Sequence, residues 1–189
     1  ALDWTGINLA VESQGATRRP DSVQARTITH VASLADWDVI LDDHSSGEVA
    51  DIVAMHAEGD SLYVHLTHCK YVHGGKPRRQ VGDLYEVCGQ AQKSTRWRDH
   101  PDSLFRHLIK RQQKRRRRTG SDGFMKGDLR TLYALQDRAL LLKTVFTVAV
   151  SQPGVTQAGI TAAQLELLAS TQVYIYETAY GTLEVYCSP

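Results

Sequence analysis

The sequence predicts a single mixed α/β domain in which a central mixed sheet is flanked by helices. Apolar runs with the two-residue alternation of strands recur along the chain, and segments with helical spacing separate them. Hydrophobic residues make up 42% and charged residues 23% of the 189 residues, a composition that excludes a wholly disordered chain. No linker rich in glycine, serine or proline divides the sequence, so we expect one domain over residues 1–189.

In the first half, we expect a helix followed by three strands. The segment 3–12 alternates weakly and predicts an edge strand. Asp21 or Ser22 is a suitable N-cap for the first helix. Clusters of turn-forming residues then separate three apolar runs, which predicts a meander. The expected elements are a helix over 22–34 and strands over 37–41, 49–55 and 62–70.

In the second half, helices and strands alternate. The β-branched run 142–150 predicts a buried strand, and Gln152-Pro153-Gly154 is expected to end it. Thr161 followed by Gln164 resembles a capping box at the start of the last helix. The expected elements are helices over 81–97, 101–117, 129–141 and 161–176 and strands over 142–150 and 183–187.

Composition and motifs exclude several classes of protein. Three cysteines are too few for a disulfide scaffold, and an odd number is typical of the reducing cytoplasm. The longest apolar run, 144–150, is shorter than the roughly 18 residues of a membrane span. No GxxxxGK[ST] loop is present, which excludes ATP hydrolysis of the P-loop type. Because the chain starts at Ala1 without Met, we expect a fragment of a longer cytoplasmic protein.

One segment carries most of the positive charge. Residues 106–118 hold eight of the 22 Lys and Arg residues and no acid, so the rest of a chain of net charge +1 carries −7. A dense cationic element on an acidic body indicates binding to a polyanion, with nucleic acid first; the alternative is a solvated helix or a flexible tail. The candidate nucleic-acid-binding residues are Lys110, Arg111, Lys114, Arg115, Arg116, Arg117 and Arg118.

A carboxylate and a lysine are expected to meet at one end of the predicted hairpin. Strand alternation places His68 and Lys70 on the face that also carries the apolar residues of 62–66. Antiparallel pairing across a short turn brings Asp51, on the preceding strand, towards the same end. A carboxylate that binds a divalent metal ion, beside a lysine that orients water or neutralises phosphoryl oxygens, is typical of a metal-assisted hydrolase. The alternative is a cross-strand ion pair between Asp51 and Lys70.

The order helix, strand, strand with Asp51, strand ending in Lys70 and helix resembles the PD-(D/E)XK nuclease superfamily over about 22–97. The resemblance implies a restriction-endonuclease-like core, a Mg²⁺ or Mn²⁺ cofactor, Asp51 as a metal ligand and Lys70 as a catalytic residue. His68 occupies the catalytic position where the family has Glu, Asp or sometimes Gln, and a neutral imidazole weakens a Mg²⁺ site. The residues that could supply the missing carboxylate are Glu48, Asp42 and Asp43, and we expect Glu48 and Asp43 as metal ligands with Asp51, and Glu48 also in catalysis. The expected supporting residues are Gln24, Tyr85 and Gln90, and Glu12 is a further candidate near the first helix.

More narrowly, the segments GEVAD, HCKY and DLYEVCGQAQ are similar to nuclease-like domains appended to bacterial superfamily 2 helicases in defence or repair proteins. This resemblance implies DNA as the substrate and a helicase domain in the same full-length chain. The basic helix at 101–118 and an α/β extension at 128–189 lie outside the matching core. We therefore expect a metal-dependent DNA nuclease; the alternative is a nucleic-acid-binding module of the same fold whose site has degenerated.

Histidines and cysteines near the hairpin also suggest a zinc site. The residues concerned are His65, His68, Cys69, His73 and Cys88. Their spacing differs from the paired patterns of structural zinc sites, and strand alternation places His65 and Cys69 on the face opposite His68. For the same reason His68 and Cys69 are not expected to act together as base and nucleophile.

Overall fold

The computed structural model describes residues 1–77 and 81–189, and it shows an α/β fold with one six-stranded mixed sheet. The strands are β1 (Val39–Asp42), β2 (Ile52–Glu58), β3 (Ser61–Cys69), β4 (Phe124–Lys126), β5 (Lys143–Thr156) and β6 (Thr182–Ser188). The helices are α1 (Val23–Ala32), α2 (Gly82–Ser94), α3 (Pro101–Thr119), α4 (Leu129–Ala139) and α5 (Ala162–Ala179), with a short 3₁₀ turn, Thr95–Trp97, directly after α2. None of the helices in this described part of the chain is long and apolar enough to cross a membrane.

The sheet has the strand order β4-β1-β2-β3-β5-β6. Strands β1, β2 and β3 form the expected antiparallel meander, and β4 pairs antiparallel with β1 at one edge of the sheet. Strand β5 pairs parallel with β3, and β6 pairs parallel with β5. The end of β1, the start of β2 and the end of β3 therefore lie at the same end of the sheet. This shared end positions the candidate site.

Strand alternation divides the core into two layers. Inward-facing residues such as Val53 and Leu66 pack against apolar residues of α2, α3, α4 and α5. Residues of opposite orientation such as Ile52 and Cys69 pack against α1 and the N-terminal segment, which includes Trp4. The sheet is thus covered on both faces, as expected for a sheet whose strands are almost continuously apolar.

Local signals fix the ends of several helices. The Ser22 hydroxyl accepts a hydrogen bond from the Ala25 amide at the start of α1. The expected capping box at α5 is formed, since Thr161 and Gln164 each accept a hydrogen bond from the backbone amide of the other. At the end of α3, Gly120 adopts a φ of 76°, a left-handed conformation that glycine reaches without strain.

Three expectations about secondary structure were wrong. The segment 3–12 forms turns rather than a strand, because Leu2 and Trp4 are buried beside α1 without a complete ladder of hydrogen bonds. Strand β4 was not expected; it has only three residues, and a side chain at the preceding Gly123 would collide with the Asp42 carbonyl oxygen. Strand β5 continues through Pro153 to Thr156, because its register with β6 shifts there and the shift tolerates a proline.

Candidate functional site

Two carboxylates and an imidazole meet at the end of the sheet where β1 ends and β2 begins. Asp51 directly precedes β2 and is only 2% exposed. His44 lies in the loop after β1, and Glu12 lies in the N-terminal segment. One potential ligand atom from each residue lies within 4.8 Å of the other two. We call Glu12, His44 and Asp51 the acid–histidine group; its spacing is compatible with one divalent metal ion.

Backbone and side-chain contacts fix Asp51 in place. Its Oδ2 accepts a hydrogen bond of 2.8 Å from the Cys69 amide at the end of β3. Its carbonyl oxygen accepts one of 3.1 Å from Nε2 of Gln24 on α1. The same Nε2 donates to Oδ1 of Asp42 at 3.0 Å, so Gln24 connects α1 to both β1 and the start of β2. The position of the Asp51 carboxylate is thus set by contacts with β3 and α1.

The electrostatics of the acid–histidine group arise from one short contact. The Nδ1 of His44 lies 2.7 Å from Oδ1 of Asp51, and this hydrogen bond raises the pKa of His44 to about 9. His44 is therefore protonated at neutral pH and donates to Asp51. Burial raises the pKa of Glu12, although the nearby charge of Lys70 opposes the rise. A metal ion bound here would have to displace the His44 proton, so binding would release protons.

His68 faces the same carboxylate from β3. Its Nε2 lies 2.7 Å from the Ser94 hydroxyl at the end of α2. Its Nδ1 lies 4.0 Å from Oδ2 of Asp51 and is a buried atom without a hydrogen-bond partner in the described part of the chain. Burial lowers the pKa of His68 to about 4 against the opposing charge of Asp51, so the imidazole is neutral at pH 7. Cys69 lies in the opposite core layer, which agrees with the expected alternation.

Lys70, directly after β3, pairs with two glutamates. Its Nζ donates to Oε1 of Glu86 at 2.7 Å and lies 3.6 Å from Oε2 of Glu12. Burial lowers the pKa of Lys70, but the two glutamates outweigh burial and the net pKa is raised. Among the ion pairs of the described residues, none joins Lys70 to Asp51. Glu12 connects the two, because it pairs with Lys70 and also belongs to the acid–histidine group.

Other predicted site residues lie at different distances from the acid–histidine group. Glu48 is 3.7 Å from Nδ1 of His44, and burial raises its pKa to about 7. The carboxylate of Asp43 accepts hydrogen bonds from Arg111 and the Val49 amide instead of joining the acid–histidine group. Tyr85 is 69% exposed. Gln90 lines a cavity that also contains Glu12 and His44, and its buried Oε1 has no hydrogen-bond partner within residues 1–77 and 81–189.

Two cavities open beside the site. One, of about 420 Å³, contains Glu12, His44 and His68 in its lining, together with the cationic Lys93 and Arg96. The other, of about 440 Å³, lies between the loop after β1 and α3. The loop residues 44–46 line both cavities. Cationic side chains thus line both of the cavities that meet at His44.

The basic helix α3 divides its charges between the interior and the solvent. Nε of Arg111 donates to Oδ1 of Asp43 at 2.7 Å, and Nη1 of Arg115 donates to the Asp42 carbonyl oxygen at 2.7 Å. These two arginines therefore hold α3 against the end of β1. The cations of the predicted set that face solvent are Lys110, Lys114, Arg116, Arg117 and Arg118.

Sequence reasoning missed His44 as a site residue and Glu86 as the partner of Lys70. His44 follows two aspartates in a segment whose composition indicates only a turn. Glu86 lies 16 residues after Lys70 on α2, and its helical position is compatible with either a solvent-facing or a site-facing role. The position of His44 depends on the path of the loop 43–51, which local sequence patterns do not specify.

No protein-family model, curated protein or solved structure matches this chain. The donor chemistry of the site can still be compared with the expected metal. Mg²⁺ prefers an octahedron of oxygen ligands, whereas the acid–histidine group contributes an imidazole and His68 stands at the position expected for a carboxylate. The residues present fit a divalent metal ion, but they fit Mg²⁺ poorly.

Proposed function

We propose that this chain is a metal-dependent nuclease domain that hydrolyses phosphodiester bonds of nucleic acid, with DNA as the expected substrate. The observation that carries the proposal is the acid–histidine group, whose ligand atoms lie within 4.8 Å of one another and whose Glu12 also contacts Lys70. Carboxylates that bind a cation beside a lysine are an arrangement that can support phosphodiester hydrolysis.

Each residue of the site has a role in this proposal. The acid–histidine group binds a divalent cation, which supplies Lewis-acid polarisation of the scissile phosphate. Lys70 stays charged because Glu86 and Glu12 raise its pKa against burial. Its ammonium can then neutralise the developing charge on a phosphoryl oxygen or orient the attacking water. The bound cation and the Lys70 ammonium would then both stabilise the negative charge that develops on the phosphate during hydrolysis.

The surroundings of the site fit a polyanionic substrate. Lys93 and Arg96 line the cavity that contains Glu12 and His44. Lys114 and Arg118 line the neighbouring cavity, and Arg116 and Arg117 are exposed on α3. These cations can contact phosphates on both sides of the site, and such contacts position a nucleic acid without reading its sequence.

A second candidate function is nucleic-acid binding without cleavage. Two observations favour it: His68 replaces the expected carboxylate, and Lys70 is already paired with Glu86 at 2.7 Å. In this case the cationic residues that line the two cavities would bind the phosphate backbone of the nucleic acid, and the acid–histidine group would not hydrolyse it. Binding and cleavage therefore have to be measured separately.

A comparison of two lysine variants separates these functions. Lys70→Met removes the ammonium at the site, whereas Lys143→Met removes an exposed lysine paired with Asp60 at the other end of the β2–β3 hairpin. We expect Lys70→Met to reduce metal-dependent cleavage of duplex or single-stranded DNA at least about 100-fold, as for removal of a transition-state charge contact. Fluorescence anisotropy should show DNA affinity within about twofold of that of the unmodified protein, since one phosphate contact contributes little of the total.

Lys143→Met should leave both cleavage and binding unchanged. Equal cleavage by the Lys70→Met and Lys143→Met variants would refute the role of Lys70. An unmodified protein that binds DNA but cleaves neither DNA nor RNA with any divalent metal would favour the second candidate function.

A further inference from the structure

His68 has an unused ligand atom that faces the acid–histidine group. The imidazole is buried, and its Nδ1 has no hydrogen-bond partner among the described residues. The nearest ionisable partner is Oδ2 of Asp51 at 4.0 Å. A buried polar atom without a partner costs free energy and is uncommon in folded proteins. Such an atom beside a carboxylate indicates a missing ligand.

The contacts of the other ring nitrogen favour a lone pair on Nδ1. The Ser94 hydroxyl lies 3.4 Å from the carbonyl oxygens of Val49 and Gln90, and it can donate its hydrogen to one of them. Nε2 of His68 then donates to the Ser94 oxygen at 2.7 Å. In this tautomer Nδ1 carries no hydrogen, so its lone pair is available to a metal ion at a point 4.0 Å from Oδ2 of Asp51. A hydrogen bond from the remote ring nitrogen is how proteins orient metal-binding histidines.

We propose that His68 binds a metal ion through Nδ1, together with Asp51 and His44, and that this ligand set selects a first-row transition metal such as Zn²⁺ or Co²⁺ over Mg²⁺. The inference deepens the proposed function, because it names the metal class of the same site, but metal binding can be measured without any cleavage.

One oxygen of the Asp51 carboxylate faces each imidazole, but His68 lies outside the acid–histidine group, so its Nδ1 has to move closer when an ion binds. His44 lies 2.7 Å from one oxygen of Asp51, and His68 lies 4.0 Å from the other. Bonds from Zn²⁺ to His and Asp are about 2.0–2.2 Å, which places tetrahedral ligand atoms about 3.4 Å apart. His68 and Asp51, now 4.0 Å apart, therefore have to approach each other by roughly half an ångström to hold the ion. Glu12, also in the acid–histidine group, can supply a further oxygen.

The chemistry of these ligands decides between metals. Two imidazoles and two carboxylates match the mixed nitrogen and oxygen sites of Zn²⁺, Fe²⁺ and Co²⁺. Mg²⁺ gains little from imidazole and retains water instead. The replacement of the expected carboxylate by His68 is then a change of metal preference and not a loss of the site.

The test is a calorimetric titration of the metal-free chain with Zn²⁺, Co²⁺ or Mg²⁺ in the absence of nucleic acid. We expect Zn²⁺ to bind at least about 100-fold more tightly than Mg²⁺, in line with the general preference of nitrogen ligands for later metals. His68→Gln, whose amide can still contact Ser94, should weaken Zn²⁺ at least about tenfold. His68→Glu should strengthen Mg²⁺ binding and reduce the preference for Zn²⁺.

The control is His73→Gln, which changes an exposed histidine outside the acid–histidine group and should leave every affinity unchanged. The visible absorption of bound Co²⁺ should weaken in His68→Gln and stay the same in His73→Gln. If His68→Gln does not fold, judged by circular dichroism, the shorter His68→Asn takes its place.

Equal affinity of the unmodified protein for Zn²⁺ and Mg²⁺, or unchanged Zn²⁺ binding in His68→Gln, would overturn the inference. Where His68→Asn replaces it, unchanged Zn²⁺ binding in that variant has the same meaning. Tight Zn²⁺ binding without nuclease activity would contradict the proposed function alone. Cleavage with Mg²⁺, together with unchanged Zn²⁺ binding in the histidine variant, would contradict the metal preference alone.

Discussion

Removal of the Arg111 guanidinium should destabilise the fold, although Arg111 belongs to the most basic segment of the chain. Nε of Arg111 donates to Oδ1 of Asp43 at 2.7 Å, and its Nη atoms donate to the carbonyl oxygens of Asp43 and Ser46. The Asp43 side chain is only 1% exposed. Arg111→Ala would leave this buried carboxylate without its cation.

The expected loss is about 3–5 kcal/mol of unfolding free energy, the usual cost of breaking a buried ion pair from one side. Lys114→Ala removes an exposed cation three residues later on α3 and should change stability by less than about 0.5 kcal/mol. Burial raises the pKa of Asp43, with Arg111 opposing the rise. Without Arg111 the carboxyl group can take up a proton more easily, so the loss should be smaller at low pH than at high pH.

Urea denaturation measures these differences, with the unmodified protein, Arg111→Ala and Lys114→Ala fitted to one common dependence of the unfolding free energy on urea concentration. Adding Asp43→Asn to Arg111→Ala should recover part of the lost stability, because the unpaired charge is then absent. An Arg111→Ala variant as stable as Lys114→Ala would refute the reasoning. Arg111 would in that case be available to bind phosphate, and the division of α3 into interior and solvent-facing cations would be wrong.

Two further predictions concern the exposed cations and the buried histidines. Replacing Lys114 and Arg116–Arg118 with Ala should reduce the slope of log K against log salt by about 3–4 units for duplex DNA, at about 0.9 per phosphate contact; an unchanged slope in anisotropy titrations would show that these cations are only solvated. Burial lowers the pKa of His65 and of His68 to about 4, so the unfolded state binds more protons and stability should fall as the pH decreases from about 6.5 to 4. Each histidine contributes up to about 3 kcal/mol to this loss. Glu48, whose pKa burial raises to about 7, acts in the opposite direction over part of this range. His68→Gln should therefore reduce the fall of the urea midpoint between pH 6.5 and 4 relative to the unmodified protein, and an identical pH dependence of the two proteins would contradict the assignment.

Much of the architecture follows from local patterns. Alternating apolar residues separated by turn clusters predict the meander of β1, β2 and β3, and the structure confirms it. The pairing of Ile52 with Thr67 places Asp51 beside His68, as strand alternation predicts. These features depend on contacts between segments close in sequence, and such contacts leave periodic signals that a single sequence can show.

The rest of the candidate site depends on contacts that local patterns do not encode. Glu12 reaches Lys70 from a segment without regular structure, and His44 reaches Asp51 through a nine-residue connection. The run of positive charges in α3 gives no sign that Arg111 and Arg115 differ from their neighbours. These two arginines continue the buried stripe of Leu104 along the helix and therefore face the sheet. Helical spacing could have indicated this, but composition alone could not.

Metal-dependent cleavage by a matched pair of aspartate variants tests the central claim most directly. Asp51→Asn changes the buried carboxylate of the acid–histidine group, and Asp60→Asn changes an exposed carboxylate between β2 and β3. Cleavage of labelled DNA is followed at saturating protein with Mn²⁺, Zn²⁺ or Mg²⁺ and with a chelator. The account predicts that the unmodified protein and Asp60→Asn cleave equally with at least one metal, that the chelator abolishes cleavage, and that Asp51→Asn is inactive while still folded. Cleavage by Asp51→Asn at the rate of Asp60→Asn, or cleavage that persists in the chelator, would contradict it.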